Sequence, residues 1–148
     1  IDHAWGYEPC TIQDVKAYKP ETNSVSSGQV LQCPYDFDKA KLVVKEMTDL
    51  MVLDLVDKRL VTDQIVLTIG YDIVNLTDPS RNRNYKGVVT TDRYGRKVPK
   101  HAHGTANLPE YTSSTRMIMK SGTDSARTVI FSIWNLKKIT VSVITGSP

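Results

Sequence analysis

Cysteine is scarce. Cys10 and Cys33 are the only two in 148 residues, too few for a disulfide scaffold, and a chain of this length can bury a core without covalent staples. Both are expected to be reduced thiols. No apolar run approaches the roughly 18 residues that a bilayer span needs. The opening Ile1-Asp2-His3-Ala4-Trp5 has neither the basic start nor the apolar middle of a signal peptide, so nothing directs export and a cytoplasmic location is expected. Disordered and collagen-like classes are excluded by a composition of 40% hydrophobic and 24% charged residues, which is that of one ordinary domain. The chain opens on Ile without Met, on what reads as the tail of an amphipathic segment, and is therefore expected to be a piece of a longer protein.

Catalytic signatures are missing too. There is no G-x-S-x-G for a nucleophile elbow, and no G-x-x-x-x-G-K-[ST] or G-x-G-x-x-G to cradle phosphate. His101 and His103 stand at i, i+2, and by themselves are too few ligands to hold a metal. With no C-x-x-C, no H-E-x-x-H and only His3, Cys10 and Cys33 elsewhere, no metal site is expected. Asp72, Asp78 and Asp92 fall at strand ends and turns, where aspartate serves local hydrogen bonding better than Mg²⁺ coordination. Asn75-Leu76-Thr77 is a glycosylation sequon without consequence in a chain that is not exported. Trp5 and Trp134 are expected in a core or an interdomain seam.

What the sequence does have is polarity of charge. The net charge is only +3, from 19 Lys+Arg against 16 Asp+Glu. Yet Pro79 to Gly104 holds seven bases (Arg81, Arg83, Lys86, Arg93, Arg96, Lys97, Lys100) against one acid, Asp92, leaving the remainder at −3. By contrast, Asp36 to Asp63 mixes seven acids with five bases, an ordinary solvated surface.

Periodicity supplies the elements. Ala40, Val43, Val44, Met47, Leu50, Met51 and Leu55 recur at three- and four-residue steps, which predicts a helix over Asp38 to Leu60 capped by Asp36. Gln64 to Asp72 alternates, with Ile65, Leu67, Ile69 and Tyr71 inward. Lys138 to Val143 alternates likewise, with Ile139, Val141 and Val143 inward. Ser24 to Leu31 and His103 to Leu108 fit a strand less regularly. Ile118, Met119, Gly122, Ala126, Val129, Ile130 and Ile133 form a stripe over Ser113 to Asn135, a second helix interrupted by the poor helix formers Ser121 to Ser125, with a kink expected near Gly122. The order is βαββαβ, an α+β class with a four-stranded sheet and both helices on one face, the split-βαβ pattern of ferredoxin-like folds. Within the basic insertion, Lys86 to Val98 reads as a hairpin turning around Asp92 to Gly95 and projecting as an arm. Glu8-Pro9-Cys10 and Lys19-Pro20-Glu21 favour extended chain over residues 1–22.

The strand assignments gather Ser24, Ser26, Gly28, Thr68, Gly70, Thr105, Thr140 and Ser142 on the sheet face opposite the helices. Short hydroxyl side chains and glycines let another surface approach the backbone, and hydroxyls and amides are good phosphate donors. Serine and threonine are also acceptable exposed strand residues, and that plainer explanation fits the face equally well. A protein-docking module using Tyr85, Tyr94 and the basic arm is the alternative of another class. RNA binding would require aromatics on the central strands, where only Tyr71 is available, facing inward.

Three segments carry a family likeness. Ile1-Asp-His-Ala-Trp-Gly-Tyr-Glu-Pro-Cys-Thr-Ile12 with Lys16-Ala-Tyr-Lys-Pro-Glu-Thr-Asn-Ser-Val-Ser-Ser-Gly-Gln-Val-Leu31 resembles the thumb-to-little-finger junction of bacterial Y-family (ImpB/MucB/SamB-type) translesion DNA polymerases. His101-Ala-His-Gly-Thr-Ala-Asn-Leu-Pro-Glu-Tyr-Thr-Ser-Ser-Thr-Arg116 resembles a stretch of the same clade. The resemblance implies the end of a thumb and a linker over 1–22, then a little-finger domain over 23–148 with its basic insertion at 79–104. It further implies a role in DNA repair, lesion bypass and the SOS response. The domain would hold double-stranded primer–template DNA as a monomer without sequence preference. The acidic residues that bind catalytic Mg²⁺ lie in the family's palm and have no counterpart here, so this piece is expected to be non-catalytic even though its parent would be a DNA-directed DNA polymerase. In the family a Lys-Ser-Ile-Gly-His-like segment opens the first strand on template phosphate. Here Asn23 replaces the lysine and Ser24-Val25-Ser26-Ser27-Gly28 follows. The expected DNA contacts are therefore Ser24, Ser26, Ser27, Gly28, Thr105, Lys137 and Lys138 on the sheet, with Arg93, Arg96, Lys97 and Lys100 on the hairpin. No clamp-binding peptide is visible before Pro148, which leaves the sliding clamp open as a partner.

Overall fold

The computed structural model describes residues 3–6, 9–19, 23–129 and 136–146. Thr11 and Asp14 bond reciprocally, the Asp14 N–H donating to Thr11 Oγ1 at 3.2 Å and the Thr11 N–H to Asp14 Oδ2 at 2.8 Å. This capping box starts helix α1 (Ile12–Ala17). The segment expected to be extended thus holds a short helix between its two proline motifs. Every α1 side chain is exposed, as is Trp5, which enters no core.

Strand β1 (Asn23–Tyr35) leads into α2 (Phe37–Asp57), whose N-cap is Asp36 as expected, its carboxylate accepting from the Lys39 N–H at 3.0 Å. The helix stops on Arg59, held at φ 55°, while the Leu60 N–H reaches back to the Leu55 carbonyl at 2.8 Å. That is a Schellman closure made without the usual glycine. Strand β2 (Val61–Tyr71) follows, then two single turns, α3 (Val74–Thr77) and α4 (Pro79–Asn82). The short pair β3 (Val89–Thr91) and β4 (Lys97–Pro99) forms the hairpin, and β5 (Ala102–Thr112), α5 (Thr115–Val129) and β6 (Leu136–Gly146) complete the domain. Residues 130–135, with Ile130, Ile133 and Trp134, lie outside the described residues.

The four long strands stand in the order β1-β6-β2-β5, all neighbours antiparallel. Parallel β1 and β2 are therefore separated by β6, and parallel β5 and β6 by β2. Each βαβ unit is split by a strand of the other, in the α+β class that the element order predicts. Helix α2 packs on β1 and β6, α5 on β2 and β5, and the two helices pack on each other. Between the layers lie Ile65, Leu67, Ile69, Ile139, Val141 and Val143 from the central strands, against Val44, Met47, Met51, Leu55, Ile118 and Ala126. All of these are buried, as is Tyr71, which faces inward as expected.

Two helix positions depart from their sequence pattern for identifiable reasons. Leu50, expected in the core stripe, is 61% exposed. A polar residue, Thr48, takes the buried position, because its hydroxyl donates to the Val44 carbonyl at 2.7 Å and leaves no orphan donor. The stripe is thereby centred on Val44, Thr48, Met51 and Leu55, away from Leu50. In α5, a Cβ placed on Gly122 would lie 3.1 Å from Ile65 Cδ1 and 3.4 Å from Thr48 Oγ1. The glycine costs roughly 1 kcal/mol of helix propensity, and what it gains is close approach of α5 to β2 and α2.

Candidate nucleic-acid interface

Cross-strand register decides which side chains share the face away from the helices. On β1 and β6, Ser24 pairs with Ile144, Ser26 with Ser142, Gly28 with Thr140 and Val30 with Lys138. On β6 and β2, Ser142 pairs with Val66, Thr140 with Thr68 and Lys138 with Gly70. Strand β5 adds Thr105 beside Val66, His103 beside Thr68 and Asn107 beside Gln64. Complete rows therefore run Ser26-Ser142-Val66-Thr105 and Gly28-Thr140-Thr68-His103 across all four strands. The floor is low, with no carboxylate among these paired positions. Its polar groups are partly engaged with each other, Thr68 Oγ1 lying 3.0 Å from His103 Nδ1 and Gln64 Nε2 donating to Asn107 Oδ1 at 2.8 Å.

The glycines keep that floor low. A Cβ on Gly28 would stand 3.3 Å from Thr140 Oγ1, and one on Gly70 would stand 3.2 Å from Lys138 Cβ and 3.7 Å from His101 Nε2. The second contact also places His101 over the same face, beside Lys138. The sheet end where β2 finishes and β5 begins thus collects Lys138, His101 and Lys100, at the root of the basic insertion.

Two sheet residues expected in the interface are placed elsewhere. Ser27 pairs with Val141 and therefore points to the helix side, exposed only because β1 is an edge strand. Lys137 is the extra residue of a bulge, since Tyr71 pairs with Leu136 and Gly70 with Lys138. It is half-buried, with Nζ 3.5 Å from the Gln32 carbonyl oxygen. Conversely, Tyr111 was not anticipated. A Cβ on Gly146 would lie 3.1 Å from Tyr111 Cε1, so this ring, 62% exposed, lies over the open face at the end remote from Lys138. The missed signal is the continued alternation of Asn107, Pro109 and Tyr111 beyond Leu108.

The hairpin turns where expected. Asp92 organises it: Oδ1 accepts from the Tyr94 and Arg96 N–H groups, both at 2.9 Å, and Oδ2 from Arg96 Nε at 2.8 Å. These bonds, that from the Arg96 backbone foremost, hold the Asp92 carboxyl below the usual aspartate range. Gly95 supplies the left-handed residue, φ 77°. Arg93, Arg96, Lys97 and Lys100 are all exposed, as are Arg81, Arg83 and Lys86. Arg96 is tied to Asp92 at 2.8 Å and Arg81 lies 3.5 Å from Asp78, whereas Arg83, Lys86, Lys97 and Lys100 have no carboxylate partner among the described residues.

The other aspartates are likewise used by their turns. Asp72 Oδ1 accepts from the Val74 N–H, and Asp78 Oδ1 from the N–H and hydroxyl of Ser80, which hold the Asp78 carboxyl low. These are the turn roles expected of them. Among the described residues no three of His, Cys, Asp and Glu gather at metal-ligating distance. Cys10 and Cys33 are free and exposed. No described helix is long and apolar enough to cross a membrane.

No family model matches the chain, and no curated protein matches it. Among solved structures, a chain from the complex of a beta-clamp processivity factor and the little finger domain of PolIV superposes with a TM-score of 0.50. The match covers 85% of this chain and 91% of that one, at 5% sequence identity. Identity that low makes this a likeness of fold. It is a likeness to a little-finger-type α+β domain.

Proposed function

We propose that this chain is the DNA-gripping little-finger domain of a Y-family translesion polymerase, holding primer–template duplex on the open sheet face without reading its sequence. One observation carries the proposal: register brings hydroxyl and glycine positions from the four strands, interspersed with Val30, Val66, Ile144 and His103, onto one face whose paired positions hold no acid, with Lys138 and a cationic hairpin at one end. Short donors on a twisted sheet reach phosphate and sugar oxygens, which carry no direct base code. Ser24, Ser26, Gly28, Thr105 and Lys138 form the sheet contacts in this proposal. Ser27 falls outside them, and Lys137 braces the bulge. Arg93, Lys97 and Lys100 supply hairpin charge, and Arg96 chiefly fixes the turn. Catalysis and its Mg²⁺ belong to the family's palm, so this domain positions DNA and transforms nothing.

A salt titration tests the proposal. If Arg93, Lys97, Lys100 and Lys138 each neutralise one phosphate, the logarithm of the duplex association constant falls with log salt at a slope of about −3.6. The starting affinity should lie in the roughly 10⁻⁴ to 10⁻⁶ M range of non-specific complexes. Absence of duplex binding at low salt sinks the proposal.

A second surface favours a protein partner. Leu42, Leu50, Leu53 and Val56 are all exposed along the outer side of α2, and the structurally similar domain was solved with a beta-clamp. We propose a sliding clamp as the occupant. Co-elution with a clamp should be lost in Leu53→Lys, and duplex binding should not change.

A further inference from the structure

The hairpin tip is built around an aromatic ring that the sheet grip does not use. Tyr94 is 67% exposed, yet it is not loosely held. Its N–H is bonded to Asp92, its hydroxyl accepts from Arg93 Nη2 at 2.6 Å, and the Arg93 and Arg96 guanidinium carbons lie 4.8 and 5.3 Å from its ring centroid. Cations over a ring hold it in place, and the Tyr94 side chain so held still stands largely in solvent. Below the tip, Lys97 and Lys100 have no carboxylate partner among the described residues, and Asp92, the one acid between Pro79 and Gly104, is consumed by the turn.

We infer that this tip is a stacking finger for an unpaired nucleotide, so that the ligand the domain prefers is a duplex carrying a single-stranded extension rather than a blunt duplex. A ring flanked by cationic backbone contacts is the general recipe for single-strand binding, since every base has a π-face and the adjoining phosphates need charge. A duplex offers its bases only edge-on. The position fits as well: the insertion leaves the sheet after Tyr71 and returns at Ala102, so the finger is rooted at the Lys138 and His101 end. Its stem of three-residue strands, at about 3.3 Å per residue, sets the ring about 10 Å beyond that root. The strong cation excess favours nucleic acid over a protein as the occupant. The inference rests on the duplex grip proposed above for its second half, the extension adjoining the duplex.

The test compares labelled blunt duplex, the same duplex with a 5′ extension of six nucleotides, and the free hexanucleotide, by fluorescence anisotropy at low salt. Wild-type protein should bind the extended duplex about 10-fold tighter than the blunt one, the effect of stacking one or two bases. Tyr94→Ala should erase that preference and weaken the free hexanucleotide by at least 5-fold, with blunt-duplex affinity changed less than 2-fold. Tyr94→Phe should retain the preference. The side chain is exposed, and unchanged thermal melts would show both variants folded. Equal affinity of wild type for blunt and extended duplex, or a preference that survives Tyr94→Ala, overturns the finger. So does a loss in Tyr94→Ala that is the same for all three probes. If blunt duplex fails to bind while the hexanucleotide binds through Tyr94, the duplex grip fails and the stacking tip stands.

Discussion

Thr140→Glu should weaken duplex binding by roughly 30- to 100-fold while leaving the fold intact. Thr140 sits on the open face, flanked in its row by Gly28 and Thr68, so its side chain stands near the middle of the proposed floor. A carboxylate there opposes phosphate, and like-charge juxtaposition across an interface costs several kcal/mol, of which 2–3 kcal/mol corresponds to that range. It also raises the floor by two further heavy atoms just where Gly28 keeps it low. Thr140→Val, similar in shape, should lose only the hydroxyl contact. Lys39→Glu, which shifts the net charge by two units where Thr140→Glu shifts it by one, but at the start of α2, should change binding by no more than about 3-fold, since exposed charges beyond a Debye length are screened. Anisotropy with a labelled duplex at low salt, alongside thermal melts, separates loss of binding from loss of fold. Equal losses in Thr140→Glu and Lys39→Glu would mean that only net charge matters.

Leu67→Ala should cost about 3 kcal/mol of stability and lower the melting temperature by about 10 °C. Leu67 is 1% exposed at the centre of the sheet, paired with Val141 on one side and Gly104 on the other. Gly104 has no side chain to lean into the space vacated, so the cavity should persist and the cost should not fall to the low end of such substitutions. Leu53→Ala, on the outer side of α2, should move stability by less than about 0.5 kcal/mol. Chemical denaturation of the two variants checks the layer assignment that places the open face opposite the helices.

The strands of this protein are legible because their period is two and one face is buried. Ile65, Leu67 and Ile69, like Ile139, Val141 and Val143, alternate without exception with residues that the structure puts on the open face. Helix α2 is legible in its start and cap, while Lys58 to Leu60, expected in the helix, form its closing turn. A tally of apolar residues includes Leu50 and omits Thr48, since the bond from Thr48 to its own preceding turn makes a hydroxyl acceptable in the core. Register beyond alternation was not legible. The bulge that makes Lys137 an extra residue depends on how β6 meets Tyr71, whereas the placement of Ser27 on the helix side already follows from the alternation that puts Ser26 and Gly28 on the open face. The hairpin turn was visible as Asp92 to Gly95, whereas the bracing of Tyr94 by Arg93 and Arg96 arises from side-chain geometry that neighbouring positions alone do not specify. Helix α1 has a sequence signal in the capping-box spacing of Thr11 and Asp14, but the flanking prolines favour extended chain and mask it.

Backbone amide chemical shifts followed during titration with a blunt duplex test the central claim most directly. The largest changes should fall at Ser26, Gly28, Thr68, Thr105, Lys138, Thr140 and Ser142, continuing into the hairpin, with α2 and α5 unmoved. Changes concentrated on the outer surface of α2 and α5, with those open-face amides silent, would contradict it.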